Sequence, residues 1–415
     1  MNVTTGTSFG PLAACTVLEL CSTIAGPACA RLMADFGARV IKVEPPGGDS
    51  MRSMGKHVGD VSLYAATLLR NKQAIAIDMK TVRGRELVRA LAERADVLVE
   101  NYRPGVLERL GLGYDVLSAA NPGLVMVRIS GYGQTGPYRE RPGYGAICEA
   151  VAGVRHMTGD PDRPPARVAL ATTDYLTATY AAFGATMALL DRTRTGRGQV
   201  VDVALYEAAF SQMEAYVAAF EKLGYVPGRV GPNLPTMAPN SLYPTAEGGY
   251  VLIAANSDPT FKRLIEVMGR PELLQDPRFC SIRARGAHLD DCNGVVAEWT
   301  RQHAAHEIEA RLVAAEVPVS RVNTIADIYA DPHFKARDML LRVPHATLGH
   351  TTQHGIVPKL SATPGRVVRS GPDYAQDTRA VLRAELGLGD AELDRLEQQG
   401  IIFSASVNQS DPVEE

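Results

Sequence analysis

At 415 residues the chain exceeds what one ordinary hydrophobic core organises, so two or three domains are expected. A hydrophobic content of 46% with 21% charged residues excludes a disordered chain. A net charge of −3, with Lys and Arg scattered along the length, excludes the electrostatic footprint of a nucleic-acid binder.

The opening MNVTTGTSFGPLAAC has neither a basic start nor an apolar core, and no signal peptide is expected. Short β-branched runs then alternate with helical patterns. Val17–Leu20 reads as a strand, Pro27–Phe36 as a helix with Pro in its first turn, and Arg39–Val43 as a strand. Ala74–Ile77 is the next strand, Val82–Arg94 an amphipathic helix, and Asp96–Val99 and Val125–Ile129 further strands. This rhythm predicts an α/β fold with a parallel, doubly wound, Rossmann-like sheet. The first turn, CSTIAGPACA, lacks GxGxxG, which argues against NAD. The apolar stretches near Ala178–Leu190 and Val200–Phe220 are broken by polar residues and do not read as membrane spans.

After Tyr225 the Pro/Gly-rich PGRVGPNLPTMAPNSLYPT reads as a linker. A strand at Gly249–Ala255 and helices at Pro259–Met268, Cys292–Gln302 and Ala305–Ala315 predict a smaller α+β domain. A second crossing is expected near Asp331–Met339, a hairpin at His345–Gly355, and helices at Asp377–Leu386 and Asp390–Gln399. The expected division is 1–225 for the large domain, 226–335 for the small one, and 336–415 for a return to the large domain.

Ser130–Gly145, SGYGQTGPYRERPGYG, would let backbone approach a ligand closely, and Asp174 follows it at the head of an alanine-rich helix. Thr172, Thr173 and Asp174 make a good helix-capping cluster, and a carboxylate in a first turn favours the helix dipole. The same position suits a nucleophile or an acid/base beside unpaired N–H groups. Lys80 follows one early strand, and Arg103 and Arg109 flank Pro104–Gly105 after another, where an open α/β sheet gathers its ligands. Such cations suit a phosphorylated ligand and equally suit solvated helix ends. His303 and His306, like His345, His350 and His354, lack companion ligands in a metal spacing, so no metal is expected. GxSxG and P-loop motifs are absent. Six cysteines without CxxC spacing are expected reduced, in a cytoplasm-like compartment.

Several long segments, in fixed order, resemble the class III CoA-transferases of the CaiB–BaiF or formyl-CoA transferase type. They are VLELCSTIAGPACARLMADFGARVIKVEPPGGD, NKQAIAIDMK…ENYRPGVLERLGLGYD, SGYGQTGPYRERPGYG, RTGRGQVVDVALYEA, GGYVLIAANSDPTFKRLIEVMGRPEL and DPHFKARDML. The resemblance implies an interlocked, ring-like homodimer, no tightly bound cofactor, coenzyme A or acyl-CoA as substrate together with a small carboxylic acid, and no nucleic-acid or membrane partner. It puts Asp174 in the place of the catalytic aspartate. It maps CoA contacts to Ile24 and Ala25, to Ile77, Asp78, Met79 and Lys80, to Asn101, Tyr102 and Arg103, to Arg109, and to the loop up to Tyr144. The implied chemistry is attack of Asp174 on a donor thioester, giving an aspartyl anhydride, then an aspartyl-CoA thioester, then transfer to the acceptor acid.

The α-methylacyl-CoA racemases that share the fold pair a His with an Asp; the matching stretch here is Gly143–Tyr144–Gly145, the transferase pattern. A non-catalytic acyl-CoA-binding protein is a third reading, against which the retained Asp174 argues. Ile24, Pro45 and the NSDP of Asn256–Pro259 depart from formyl-CoA transferase proper and point away from formyl-CoA and oxalate. The GYGQTGP loop looks like the branch using succinyl-CoA with dicarboxylates. Arg155 replaces an apolar residue usual in the family, either as an exposed helix cation or as a partner for the distal carboxylate of a dicarboxylic acid. Ala178 stands for a common Gly, and Ala375–Thr378 (AQDT) for the GEHT signature.

Overall fold

The computed structural model describes residues 9–405. It holds two compact units. One runs to Val154, resumes over Val168–Glu214 and returns from Phe334; the other comprises Arg155–Arg167 and Ala215–His333.

The first unit is built on a seven-stranded sheet. In chain order it takes β1 Thr16–Leu20, helix α1 Ala25–Asp35, β2 Arg39–Glu44, β3 Lys72–Ile77, α2 Val82–Ala92, β4 Val97–Glu100 and β5 Val125–Ser130. There follow α3 Gly145–Val151, α4 Thr172–Thr195, β6 Val200–Ala204 and, far along the chain, β7 Ile402–Phe403. The strand order is β7-β3-β2-β1-β4-β5-β6. All pairings are parallel but one, β7 lying antiparallel to β3 with Ile402 opposite Ile77. The expected all-parallel sheet is therefore mixed at one edge: a chain returning from the helices Thr378–Leu386 and Asp390–Gln398 needs only a tight turn to lay down an antiparallel strand.

Alternation along the strands separates two cores. Val17, Val40, Val97 and Val125 face α1 and α4. Leu18, Ile41, Leu98 and Met126 face α2, and Val381, Leu382, Leu393 and Leu396 of the C-terminal helices seal that side. Each such side chain contributes about 1.5–3 kcal/mol on burial. Helices on both faces make the doubly wound architecture. In α4, Ala178, Ala181, Ala185 and Ala188 are buried, and their small size lets α1 lie close against it. The AQDT segment closes the edge of β3: Asp377 Oδ2 accepts the Ala74 N–H at 2.9 Å and Thr378 Oγ1 accepts the Ala76 N–H at 3.0 Å. The predicted hairpin is the antiparallel pair Leu340–His345 and Gly349–His354.

The second unit carries a three-stranded antiparallel sheet of Asn240–Pro244, Tyr250–Ala254 and Val319–Arg321 around its own core. Asn240–Pro244 lies within the stretch expected to be a linker, because a Leu-Tyr pair there finds partners across Tyr250–Ala254. Ser257 of NSDP caps the helix Asp258–Met268, accepting the Thr260 N–H, with Pro259 in the first turn. Among the described residues no helix is long and apolar enough to cross a membrane, and no group of three or more His, Cys, Asp or Glu could hold a metal ion.

Candidate active site

The chain reverses direction across the sheet between β1 and β4: strands β1 to β3 build one way and β4 to β6 the other. Loops leaving the carboxyl ends of two such strands diverge and leave a crevice. A cleft of about 200 Å³ lies there. The turn after β1 contributes Ser22, Thr23, Ile24 and Ala25, and the turn after β4 contributes Asn101, Tyr102 and Arg103. Asn101 ties the two turns together: its Oδ1 accepts the Ser22 N–H at 2.9 Å and its Nδ2 donates to the Ser22 carbonyl at 2.8 Å.

The third wall is the glycine-rich loop after β5. Gly131 and Gly143 cross so closely that a Cβ on either would stand 2.8 Å from the other's Cα, which is why both are glycine. The Gly133 N–H donates to Ser130 Oγ and the Gln134 N–H to Asp202 Oδ2 of β6, both at 2.9 Å, tying the loop to the sheet. Arg141 stacks on Tyr138, its guanidinium 3.5 Å from the ring centre, and Tyr138 meets Tyr132 edge to face. The loop delivers Arg139, Arg141, Pro142, Gly143 and Tyr144 to the cleft. Tyr144 is 69% exposed, so its ring is available to a ligand.

Asp174 lines the same cleft from the first turn of α4. The N-cap position of α4 is Ala171, whose side chain makes no capping bond, so Thr172, Thr173 and Asp174 fall inside the first turn. Thr173 is buried, and the Asp174 carboxylate packs on Gly145, where an added Cβ would stand 2.1 Å from Oδ2. Behind it, burial first and the charge of Asp174 second push the Cys148 thiol up to about 11, so Cys148 is a neutral thiol at pH 7. It donates to the Gly131 carbonyl at 3.3 Å.

Residues 12–378 match the model for CoA-transferase family III. The chain belongs to CoA-transferase family III. As a class III CoA-transferase it takes acyl-CoA as a substrate. The transferase is 45% identical over 94% of its length to a succinyl-CoA–D-citramalate CoA-transferase of Chloroflexus aurantiacus, 98% of which is covered. It is 38% identical, over 94% of its length and 98% of the relative's, to the beta subunit of a succinyl-CoA–L-malate CoA-transferase of the same organism. The crystal structure of a CaiB/BaiF family protein from Brucella suis superposes with a TM-score of 0.81 at 34% identity, covering 91% of this chain and all of that one.

Of the residues singled out in the transferase sequence, Ile24, Ala25, Asn101, Tyr102, Arg103, Tyr144 and Asp174 line this one cleft. Ile77, Asp78, Met79 and Lys80 do not; Ile77 is buried and ends β3, and the Asp78 carboxylate accepts the Lys80 N–H in the turn that follows. That turn lies on the same carboxyl edge of the sheet, two strands from β1. Arg109 lies on the helical turn Val106–Arg109 beyond the β4 loop and does not line the cleft. Arg155 belongs to the second unit, in the short helix Val154–Met157. Arg103, Arg109 and Lys80 make no ion pair among the described residues. Burial pushes the Tyr102 hydroxyl up to about 12, with nearby Cys21 and Glu100 adding to it, so it stays protonated. Arg139 and Arg141 were missed as individual residues; the RER run inside a glycine loop was their signal.

Proposed function

We propose that this transferase moves CoA from succinyl-CoA to a small dicarboxylic or hydroxy-dicarboxylic acid through covalent intermediates on Asp174. The observation that carries the reading is the half-buried Asp174 carboxylate, seated on Gly145 in the wall of the cleft at the sheet's switch point. The succinyl donor and dicarboxylate acceptor are drawn from the substrates named for the citramalate and malate relatives.

In this reading an Asp174 oxygen attacks the thioester carbonyl, the C–S bond breaks, and CoA leaves as thiolate from a mixed anhydride. The thiolate attacks the aspartyl carbonyl, expelling succinate and leaving an aspartyl-CoA thioester. The acceptor carboxylate attacks that thioester, and the released thiolate then attacks the acceptor's acyl carbonyl. The new acyl-CoA departs and the Asp174 carboxylate is regenerated. Thioester energy is conserved at each step provided water is kept out. The Gly145 and Ala146 N–H groups at the start of α3 are offered to the tetrahedral oxyanions, while those of Ile147 and Cys148 donate to the Tyr144 carbonyl. Arg103, Arg139 and Arg141 suit the phosphates of CoA, and Ile24, Ala25, Asn101, Tyr102 and Tyr144 the rest of the molecule. Ile77, Asp78, Met79, Lys80 and Arg109 are proposed as further contacts of this extended ligand.

A racemase needs an acid and a base on opposite faces of the α-carbon, and the second position here is Tyr144, a phenol where the racemases carry a histidine. We further propose a homodimer. The outward face of α4 exposes Tyr180, Phe183, Met187 and Leu190 at helical spacing, an apolar stripe that a second chain would cover. Light scattering would give twice the chain mass, and Phe183→Glu would lower it; a wild-type monomer removes this proposal. The activity itself is tested by incubating the protein with succinyl-CoA and a panel of dicarboxylates, with Asp174→Ala as control. Exchange that survives in Asp174→Ala, or deuterium wash-in at the α-carbon without acceptor acid, contradicts the reading.

A further inference from the structure

The turn Cys21–Pro27 that forms one wall of the cleft is held from beneath by charges that see no solvent. Glu19 of β1 lies opposite Lys42 of β2 in register, and both side chains are fully buried, as is that of Lys72 from β3. Lys42 has three protons and three acceptors. Its Nζ lies 3.0 Å from Glu19 Oε1, 2.7 Å from Asp49 Oδ2 and 2.8 Å from the Cys21 carbonyl oxygen. Lys72 Nζ donates to Glu19 Oε2 and to the Pro27 carbonyl, both at 2.7 Å. The two ammonium groups therefore grip the turn at both ends.

Its middle is gripped by Asp49. Asp49 Oδ1 accepts the Thr23 N–H at 3.2 Å and the Met51 N–H at 3.0 Å. Asp49 is itself located by Glu44, whose Oε2 accepts the Asp49 N–H at 2.8 Å while also bound by Arg52. Thr23 has φ +70°, and it is the one non-glycine residue lining the cleft with positive φ. A β-branched residue in the left-handed region is strained and keeps that conformation only where its surroundings over-determine it. Nothing in the sequence demands a threonine there. The bond from Asp49 is what the surroundings supply at that residue.

We propose that Asp49 is a positioning residue for the acyl-CoA: seated between Lys42 and Thr23, it holds Thr23 left-handed and so keeps the Cys21–Pro27 turn in the shape the ligand docks against. This rests on the cleft's being the acyl-CoA site. Without Asp49 the turn relaxes, the docking-competent fraction falls, and apparent affinity falls by the same factor. The left-handed penalty of an L-residue sets that factor at about tenfold.

The test is steady-state kinetics with succinyl-CoA and direct binding of CoA, on the full-length protein, for Asp49→Ala, Thr23→Gly and the double variant. Asp49→Ala should raise KM and the CoA Kd about tenfold with kcat within about threefold of wild type. Glycine is at ease at positive φ, so against a Thr23→Gly background, whose own KM and Kd serve as the reference, Asp49→Ala should cost far less than about tenfold, a rescue of the lost affinity. A structural contribution alone would lower Tm without that rescue. If Asp49→Ala does not fold, Asp49→Ser, which can still cap the turn Ser50–Ser53 but is one bond too short for the Thr23 N–H, is read the same way. Arg103→Ala separates the two claims, since Arg103 lines the cleft and lies outside the network. If Arg103→Ala raises KM and Asp49→Ala does not, the cleft reading stands and the positioning role falls. If neither moves KM, the cleft is not the acyl-CoA site and both fall. A tenfold loss from Asp49→Ala that is undiminished on the Thr23→Gly background also overturns the proposal.

Discussion

Replacing Gly145 by alanine isolates the seat of Asp174. The new methyl would stand 2.1 Å from Asp174 Oδ2 and 2.9 Å from its carboxyl carbon. Carbon contacts are optimal near about 3.5 Å, so the carboxylate must retreat by more than about 1 Å. A displacement of that size at a reacting group costs about 100-fold in rate, or about 2.7 kcal/mol of activation free energy. The fold has little reason to suffer: Gly145 opens α3, where alanine is the better helix former, and the clash is with the end of a rotatable side chain. Gly145→Ala should therefore unfold within a few degrees of wild type while CoA exchange from succinyl-CoA falls about 100-fold in kcat. The assay is chromatographic detection of the new acyl-CoA, paired with thermal unfolding of the same preparation. A kcat within about threefold of wild type would refute the claim that this contact places the carboxylate.

Three further outcomes follow from the same geometry. Burial works to raise the Asp49 carboxyl, but Lys42 and the N–H groups of Met51 and Thr23 outweigh it and hold it below its ordinary 3.8. The stability this contributes is fully present above pH 3.8 and is lost as pH falls through the lower folded value. The Tm gap between wild type and Asp49→Asn should thus be level near neutral pH and close in strong acid; a gap that widens in acid contradicts the assignment. Among the cysteines Cys280 alone is exposed, while burial pushes Cys15, Cys29 and Cys292 up to about 12. A thiol reagent should label native protein at Cys280 first, and Cys280→Ser should abolish the fast phase; fast labelling of any other cysteine disagrees with this packing. If Arg155 pairs with a distal carboxylate, Arg155→Met should raise KM for dicarboxylates and spare that for monocarboxylates, and unchanged dicarboxylate constants remove Arg155 from acid recognition.

Much of the first unit was legible in the residues because its strands are buried on both faces. Runs such as Val125–Ile129 are apolar but for Arg128, and α1 begins with Pro27 in its first turn, where a missing N–H costs nothing. The edge strand Ile402–Phe403 escaped because two residues carry no period. Strand β6 escaped because Val200–Ala204 merges with the apolar run that follows it. Asp174 read foremost as a cap, since capping and catalysis draw on the same unpaired N–H groups; only its contact with Gly145, a residue 29 positions earlier, parts the two. The charges beneath the cleft were invisible for another reason. Glu19, Lys42 and Lys72 lie on three different strands, where a polar residue ordinarily marks a solvent face, and only strand order brings them together.

The central claim is a covalent relay through one carboxylate, and trapping tests it most directly. The transferase is incubated with succinyl-CoA and hydroxylamine, digested, and the peptides are read by mass spectrometry. Asp174 should be converted to its hydroxamate in step with loss of exchange activity, with no conversion when succinyl-CoA is omitted. Full loss of activity without modification of Asp174, or a hydroxamate on another residue, would contradict the account.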